Sequence, residues 1–145
     1  FFTVYGPYGR PDMALFKFTK NIIENKQIEL YNNGNHLRDF TYIDDIVTGI
    51  SLVIKKPPKH IIPFNIFNIG NGNPRKLKEY LAIIEKKLGK KAKIKKLPLQ
   101  KGDIIKTHSD VSLIKKYTNY KAKIDIEEGI SNFIDWFKQY YKCWL

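Results

Sequence analysis

The chain has 145 residues, 43% of them hydrophobic and 14% aromatic, which is enough for one modest domain with a core. No apolar run approaches the roughly 20 residues that cross a bilayer, and the first residues lack the basic-then-apolar order of a secretory signal, so no membrane partner and a soluble, cytoplasmic protein are expected. The net charge of +12 would suit a phosphate-bearing partner, yet the lysines are spread along the chain rather than gathered around stacking aromatics, and no nucleic-acid interface is expected.

The chain opens on Phe1 and runs straight into FFTVY, an apolar β-prone stretch of the kind that wants sheet neighbours on both sides. An N-terminal truncation is the expectation. GPYGRPD then forces a loop, and Pro11 and Asp12 are placed to open a helix carrying Met13, Leu15, Phe16, Phe18, Ile22 and Ile23 on a broad apolar face. IELYN reads as a short strand and NNGNH as a turn. RDFTYIDDIVTGISLVIKKP reads as a second helix, with aspartates in its first turn and lysines in its last, as the helix dipole favours.

PFNIFNIGNG reads as a third strand closed by a Gly/Asn loop, after which Pro74 starts the helix RKLKEYLAIIEKKLGKK, ending near Gly89. KIKKLPLQ reads as a strand at a sheet edge, because Lys93, Lys95 and Lys96 discourage pairing with another chain. A short helix is expected at Asp110 to Tyr117, a turn at Asn119 and Tyr120, and an amphipathic helix from Ile126 to Tyr141. Strands alternating with helices predict an α/β fold whose sheet is incomplete within residues 1–145, its other strands coming from earlier chain or from a second subunit.

Composition limits the chemistry. Cys143 is the single cysteine, so an internal disulfide and a cysteine metal cluster are excluded, while His36, His60 and His108 lack the close spacing of a zinc site. No metal is expected. GNHLRDFTYIDD sets an arginine and three aspartates among aromatics at a loop-to-helix junction, where a guanidinium and backbone N–H groups can hold an anion. Arg38 is the leading phosphate ligand on that reading; the alternatives are a surface arginine paired with Asp39, or a helix whose early aspartates, Asp44 and Asp45, only complement the dipole. The residues alone favour neither.

FFTVYGPYGRPDM and RDFTYIDDIVTGI, continued by FNIFNIGNG and LQKGDIIKTHSD, resemble the extended short-chain dehydrogenase/reductase family of NAD-dependent sugar-nucleotide epimerases and dehydratases. The wording TVYGPYGRPDMA and PLQKGD is most similar to the UDP-glucuronate 4-epimerases within it. The resemblance covers the whole chain and implies that residues 1–145 are the C-terminal, UDP-sugar-binding portion, with late strands and helices of the Rossmann-type domain and a smaller mixed α/β substrate domain. The NAD-binding half would precede Phe1.

That resemblance implies a residue set. Arg38 would bind the UDP diphosphate, and Thr3 and Arg10 would meet the sugar and its C6 carboxylate. Met13, with Asp12 beside it, would present its backbone to the uracil, Tyr31 would cover the base, and Glu29 would contribute backbone. Asp103 would accept bonds from the ribose hydroxyls, and Gln100 stands where galactose-type epimerases often carry an arginine. Phe2 would pack beside the nicotinamide of NAD. The implied chemistry interconverts UDP-glucuronate and UDP-galacturonate by oxidation at C4, rotation of the keto sugar and re-reduction. Its catalytic Ser/Thr, Tyr-x-x-x-Lys and glycine-rich NAD loop are all expected upstream; Tyr117 and Lys121 have the pair's spacing but span a turn. GNGNP lacks the repeated glycine pattern of a phosphate loop. A dehydratase, another UDP-sugar epimerase and a basic polyanion-binding module remain as alternatives, and the family implies a homodimer through upstream helices.

Overall fold

The structure, a computed structural model, describes residues 1–59 and 61–142; His60 and Cys143 lie outside the described residues. The architecture is α/β, with helices α1 (Ala14–Ile23), α2 (Ile43–Ile54), α3 (Leu77–Leu88), α4 (Ser112–Thr118) and α5 (Ile126–Tyr140). The strands are short and pair in twos. β1 (Val4–Tyr5) runs parallel to β4 (Thr41–Tyr42), β2 (Gln27–Tyr31) parallel to β6 (Lys93–Leu97), and β3 (Leu37–Arg38) antiparallel to β5 (Arg75–Lys76).

The helices form where apolar spacing gives each a buried stripe. α1 buries Leu15, Phe16, Phe18, Thr19 and Ile22, α3 buries Tyr80, Leu81, Ile84 and Leu88, and α5 buries Ile130, Phe133, Ile134 and Phe137. These faces meet in one core, where the Tyr5 ring stands edge-on to Phe40, Tyr42 and Tyr80, and Phe40 stacks on Tyr80 with centroids 4.0 Å apart. A smaller cluster of Ile46, Ile69, Ile114 and Tyr120 joins α2 to α4. Gly89, at φ 65°, ends α3 in the left-handed conformation, as its place in the sequence predicts. Asp125 caps α5 by accepting from the Glu128 backbone N–H at 2.8 Å.

Four expected elements differ. The helix expected from Pro74 starts only at Leu77, because Arg75–Lys76 pair as β5 with β3. The second helix begins only at Ile43, because Leu37–Arg38 and Thr41–Tyr42 are drawn into ladders with β5 and β1. FFTVY contributes strand pairing only at Val4–Tyr5. PFNIFNIGNG forms no assigned strand: Ile69 accepts one bond from the Phe2 N–H at 3.2 Å, while Phe64 and Ile66 stay exposed. A continuous apolar strand needs ladder partners and cover on both faces, and the described residues offer that segment one long-range backbone-to-backbone bond. The lysine-rich strand behaves as expected, pairing through β6 with β2.

Candidate functional site

The turn NNGNH leads into β3, and β3 organises the site. The Leu37 N–H donates to Ile105 O at 2.9 Å and its carbonyl accepts from the Thr107 N–H at 3.0 Å, so the stretch after PLQKGD lies against the RDF block. Gln100 to Asp103 closes a tight turn, with the Asp103 N–H donating to Gln100 O at 3.2 Å and Gly102 at φ 81° in its third position, where a left-handed φ is required. That turn delivers Asp103 to Arg38. Arg38 Nη2 donates to Asp103 Oδ1 at 3.2 Å, and Arg38 Nη1 donates to Leu37 O at 3.1 Å. Two residues 65 positions apart, both expected to meet the nucleotide, are thus in contact.

The alternative pairing of Arg38 with Asp39 does not occur. Asp39 is fully buried, and its carboxylate accepts four backbone contacts from two loops: Asn71 N–H at 3.1 Å, Gly72 N–H at 3.2 and 3.0 Å on its two oxygens, and Ser109 N–H at 2.8 Å. Asp45, also buried, accepts from the Lys123 and Ile124 N–H groups at 2.9 and 3.1 Å. Its role is therefore tertiary, whereas exposed Asp44 is left to the helix dipole.

The remaining expected residues fall into smaller groups. Thr3 is half-buried beside the RDF block, its carbonyl accepting from the Thr41 N–H at 3.0 Å, and Phe2 lies next to it against Ile69 and Gly70. The segments expected at the sugar end and the phosphate end are thus neighbours. Arg10 and Asp12 form a two-bond pair in the exposed loop, Nε to Oδ1 at 3.0 Å, and the Arg10 guanidinium holds the Asp12 carboxyl below its usual range. Met13 is half-buried at the start of α1. On β2, the Tyr31 hydroxyl donates to Glu29 Oε2 at 3.4 Å, and desolvation followed by the Glu29 charge raises the phenol. Gln100 is exposed on its turn.

Two residues escaped the sequence reading. His36 is buried at 3% exposure with Nε2 3.0 Å from Asp103 Oδ2, although sequence spacing marks it only as a lone loop histidine. Arg75 sits directly across the β3–β5 ladder from Arg38, a like-charge juxtaposition that costs stability unless an anion is held, and it is visible only once the register is known. Arg75 also lines a groove of about 690 Å³ with Phe40, Asn71, Asn73, Glu79 and Lys123. Among the described residues no cluster of acidic, histidine and cysteine side chains could hold a metal, and no helix is long and apolar enough to cross a membrane.

Residues 1–70 match the NAD dependent epimerase/dehydratase family. A UDP-glucuronate 4-epimerase of Thermodesulfobacterium geofontis is 43% identical over 140 residues, 96% of this chain and 42% of that protein. Over nearly all of its length the chain is thus similar to NAD dependent epimerase/dehydratase proteins. An uncharacterized protein of Methanocaldococcus jannaschii is 54% identical over the whole chain and 43% of its own length. Among solved structures, the Bacillus cereus UDP-glucuronic acid 4-epimerase in complex with UDP-glucuronic acid and NAD superposes with a TM-score of 0.88 at 32% identity, over 97% of this chain and 44% of that one. The chain therefore spans less than half the length of the epimerase/dehydratase relatives it matches.

Proposed function

We propose that these residues form the UDP-sugar-binding part of an NAD-dependent epimerase that interconverts UDP-glucuronate and UDP-galacturonate. The observation that carries this reading is the Arg38–Asp103 contact, which sets a forked cation for a diphosphate beside a carboxylate for hydroxyls, three residues before Thr41, whose N–H bonds the Thr3 carbonyl. The identity to UDP-glucuronate 4-epimerases supports the choice of sugar. Thr3 and Arg10 would face the hexuronate, Arg10 exchanging Asp12 for the substrate carboxylate; Met13, Glu29 and Tyr31 would bound the uracil, and Gln100 would flank the diphosphate. NAD, when bound, supplies the reversible hydride acceptor for inversion at C4. Of these residues only Phe2 fits it, as an aromatic half-buried at the strand end beside Gly70. Binding and orienting the substrate is this chain's share, and no catalytic residue is assigned within it.

The test is ligand-detected NMR or calorimetry with UDP, UDP-glucuronate and UDP-glucose. Binding should be retained for UDP, should be tightest for UDP-glucuronate, and should fall by about tenfold or more in Arg38→Ala, as expected on losing a charge-assisted pair. UDP binding that is absent, or unchanged in that variant, refutes the reading.

A further inference from the structure

Arg38 has two claims on it. Its Nη2 holds Asp103 Oδ1 and its Nη1 holds Leu37 O. A diphosphate carries more negative charge than the Asp103 carboxylate and suits the same fork, so a nucleotide entering this site would draw the guanidinium away from Asp103. Asp103 stands directly after a turn with a left-handed glycine, on a stretch that is partly exposed, and a carboxylate released there would swing among solvent-facing rotamers. To receive ribose hydroxyls it needs a second holder.

His36 occupies that place. Its Nε2 lies 3.0 Å from the other oxygen, Oδ2, an approach that is attractive only if Nε2 carries the proton. Yet the contact is out of line: buried Nε2 makes no aligned hydrogen bond while Arg38 pulls the carboxylate toward itself. A buried donor left unsatisfied in this state gains a full bond when the carboxylate turns toward it. The backbone that carries the ring is fixed. The His36 carbonyl accepts from the Leu77 N–H at 2.9 Å at the start of α3, and neighbouring Leu37 bridges Lys106, three residues beyond Asp103.

We propose that His36 is a positioning residue: it takes over the Asp103 carboxylate when a nucleoside diphosphate recruits Arg38, and so sets Asp103 to receive the ribose hydroxyls. This rests on the nucleotide-binding reading above, and the ligands are chosen to separate the two. The affinities of UDP and 2′,3′-dideoxy-UDP are measured by calorimetry on the unmodified chain, His36→Ala and His36→Gln, with urea midpoints as a folding control. The unmodified chain should prefer UDP by about tenfold, the worth of a charge-assisted bond. In His36→Ala the preference should fall to within about twofold while dideoxy-UDP binding stays unchanged, and His36→Gln, which returns a donor near Nε2, should restore most of it. A preference that survives in His36→Ala overturns this inference alone. Equal weakening of both ligands makes His36 merely structural and overturns it too. If the unmodified chain binds UDP without ribose preference, the role of Asp103 falls with it while the diphosphate reading stands. If UDP does not bind at all, both readings fall.

Discussion

Asp39→Asn is the substitution that most directly tests how the site is held. The carboxylate is fully buried and receives the N–H groups of Asn71, Gly72 and Ser109, the last at 2.8 Å, and an asparagine keeps its size while replacing one acceptor oxygen by a donor. The best orientation turns the remaining oxygen to Ser109 and Gly72 and sets the amide against Asn71 N–H, donor facing donor. One charge-assisted bond is lost and two become neutral, in all about 3–4 kcal/mol; relief of the buried charge offsets part, leaving a net cost of about 2–3 kcal/mol. With a urea m-value of about 2 kcal/mol/M for a chain of this size, the midpoint should fall by about 1–1.5 M. Asp44→Asn is the matched control, because Asp44 is exposed in the first turn of α2 and should cost no more than about 0.5 kcal/mol. Equilibrium urea unfolding followed by circular dichroism measures both. Equal midpoints for the two variants would refute the assignment of Asp39 as the tie between the loops.

Alkaline pH should unfold the chain through its buried tyrosines. Burial, then the Asp45 and Asp39 charges, push Tyr120 up to about 12, and burial raises Tyr5 and Tyr80 as well. A phenol whose folded value is raised stabilises fully below its ordinary value of about 10, and that contribution is lost as pH climbs through the folded value. The melting temperature should therefore drop between about pH 10 and 12, with tyrosinate absorbance from these three rings appearing only on unfolding; a smooth titration of every tyrosine near pH 10 in folded protein would contradict it. Gly129→Ala should destabilise by about 1–3 kcal/mol, since a Cβ there would clash with the Tyr5 hydroxyl and lie 2.8 Å from Tyr42 Cδ2 on packed core rings. Gly89→Ala meets nothing within 4 Å and should cost only its left-handed φ, about 1 kcal/mol, so a melt in which Gly89→Ala is the worse variant would reverse the argument.

What the sequence discloses follows from the range of the interactions. α1, α3 and α5 are legible because their signals are local: apolar residues three and four apart, Gly89 past the end of α3, Asp125 before α5. The RDF block is legible only in part because ladder pairing is long-range; Arg38 meets Arg75 and Thr41 meets Val4 only in the folded register, and nothing within RDFTY reports it. PFNIFNIGNG has the composition of a buried strand, and composition cannot say whether neighbours are there to pair with it. In the candidate site, Arg38 and Asp103 are singled out by resemblance, and the fold brings them into contact. His36 is not singled out, because a lone histidine in a Gly/Asn loop acquires its role only when the turn at Gly102 brings a carboxylate 3.0 Å from its ring.

The aspartates share a physical logic that the charge count conceals. Among the described residues the ladders are short, two of the three being two residues deep, so many backbone N–H groups near the site have no strand partner. Carboxylates take the place of strands. Asp39 collects N–H groups from the loops at 71–72 and 109, Asp45 collects those of Lys123 and Ile124, Glu85 accepts from the Ala92 N–H, and Asp125 caps α5. Asp39 and Asp45 are in this way withdrawn from the surface, whereas Asp125 stays exposed at its helix end. The same ties hold the RDF block, the loop at 71–72 and the 104–109 segment in register, and the relative placing of Arg38, His36 and Asp103 depends on that register.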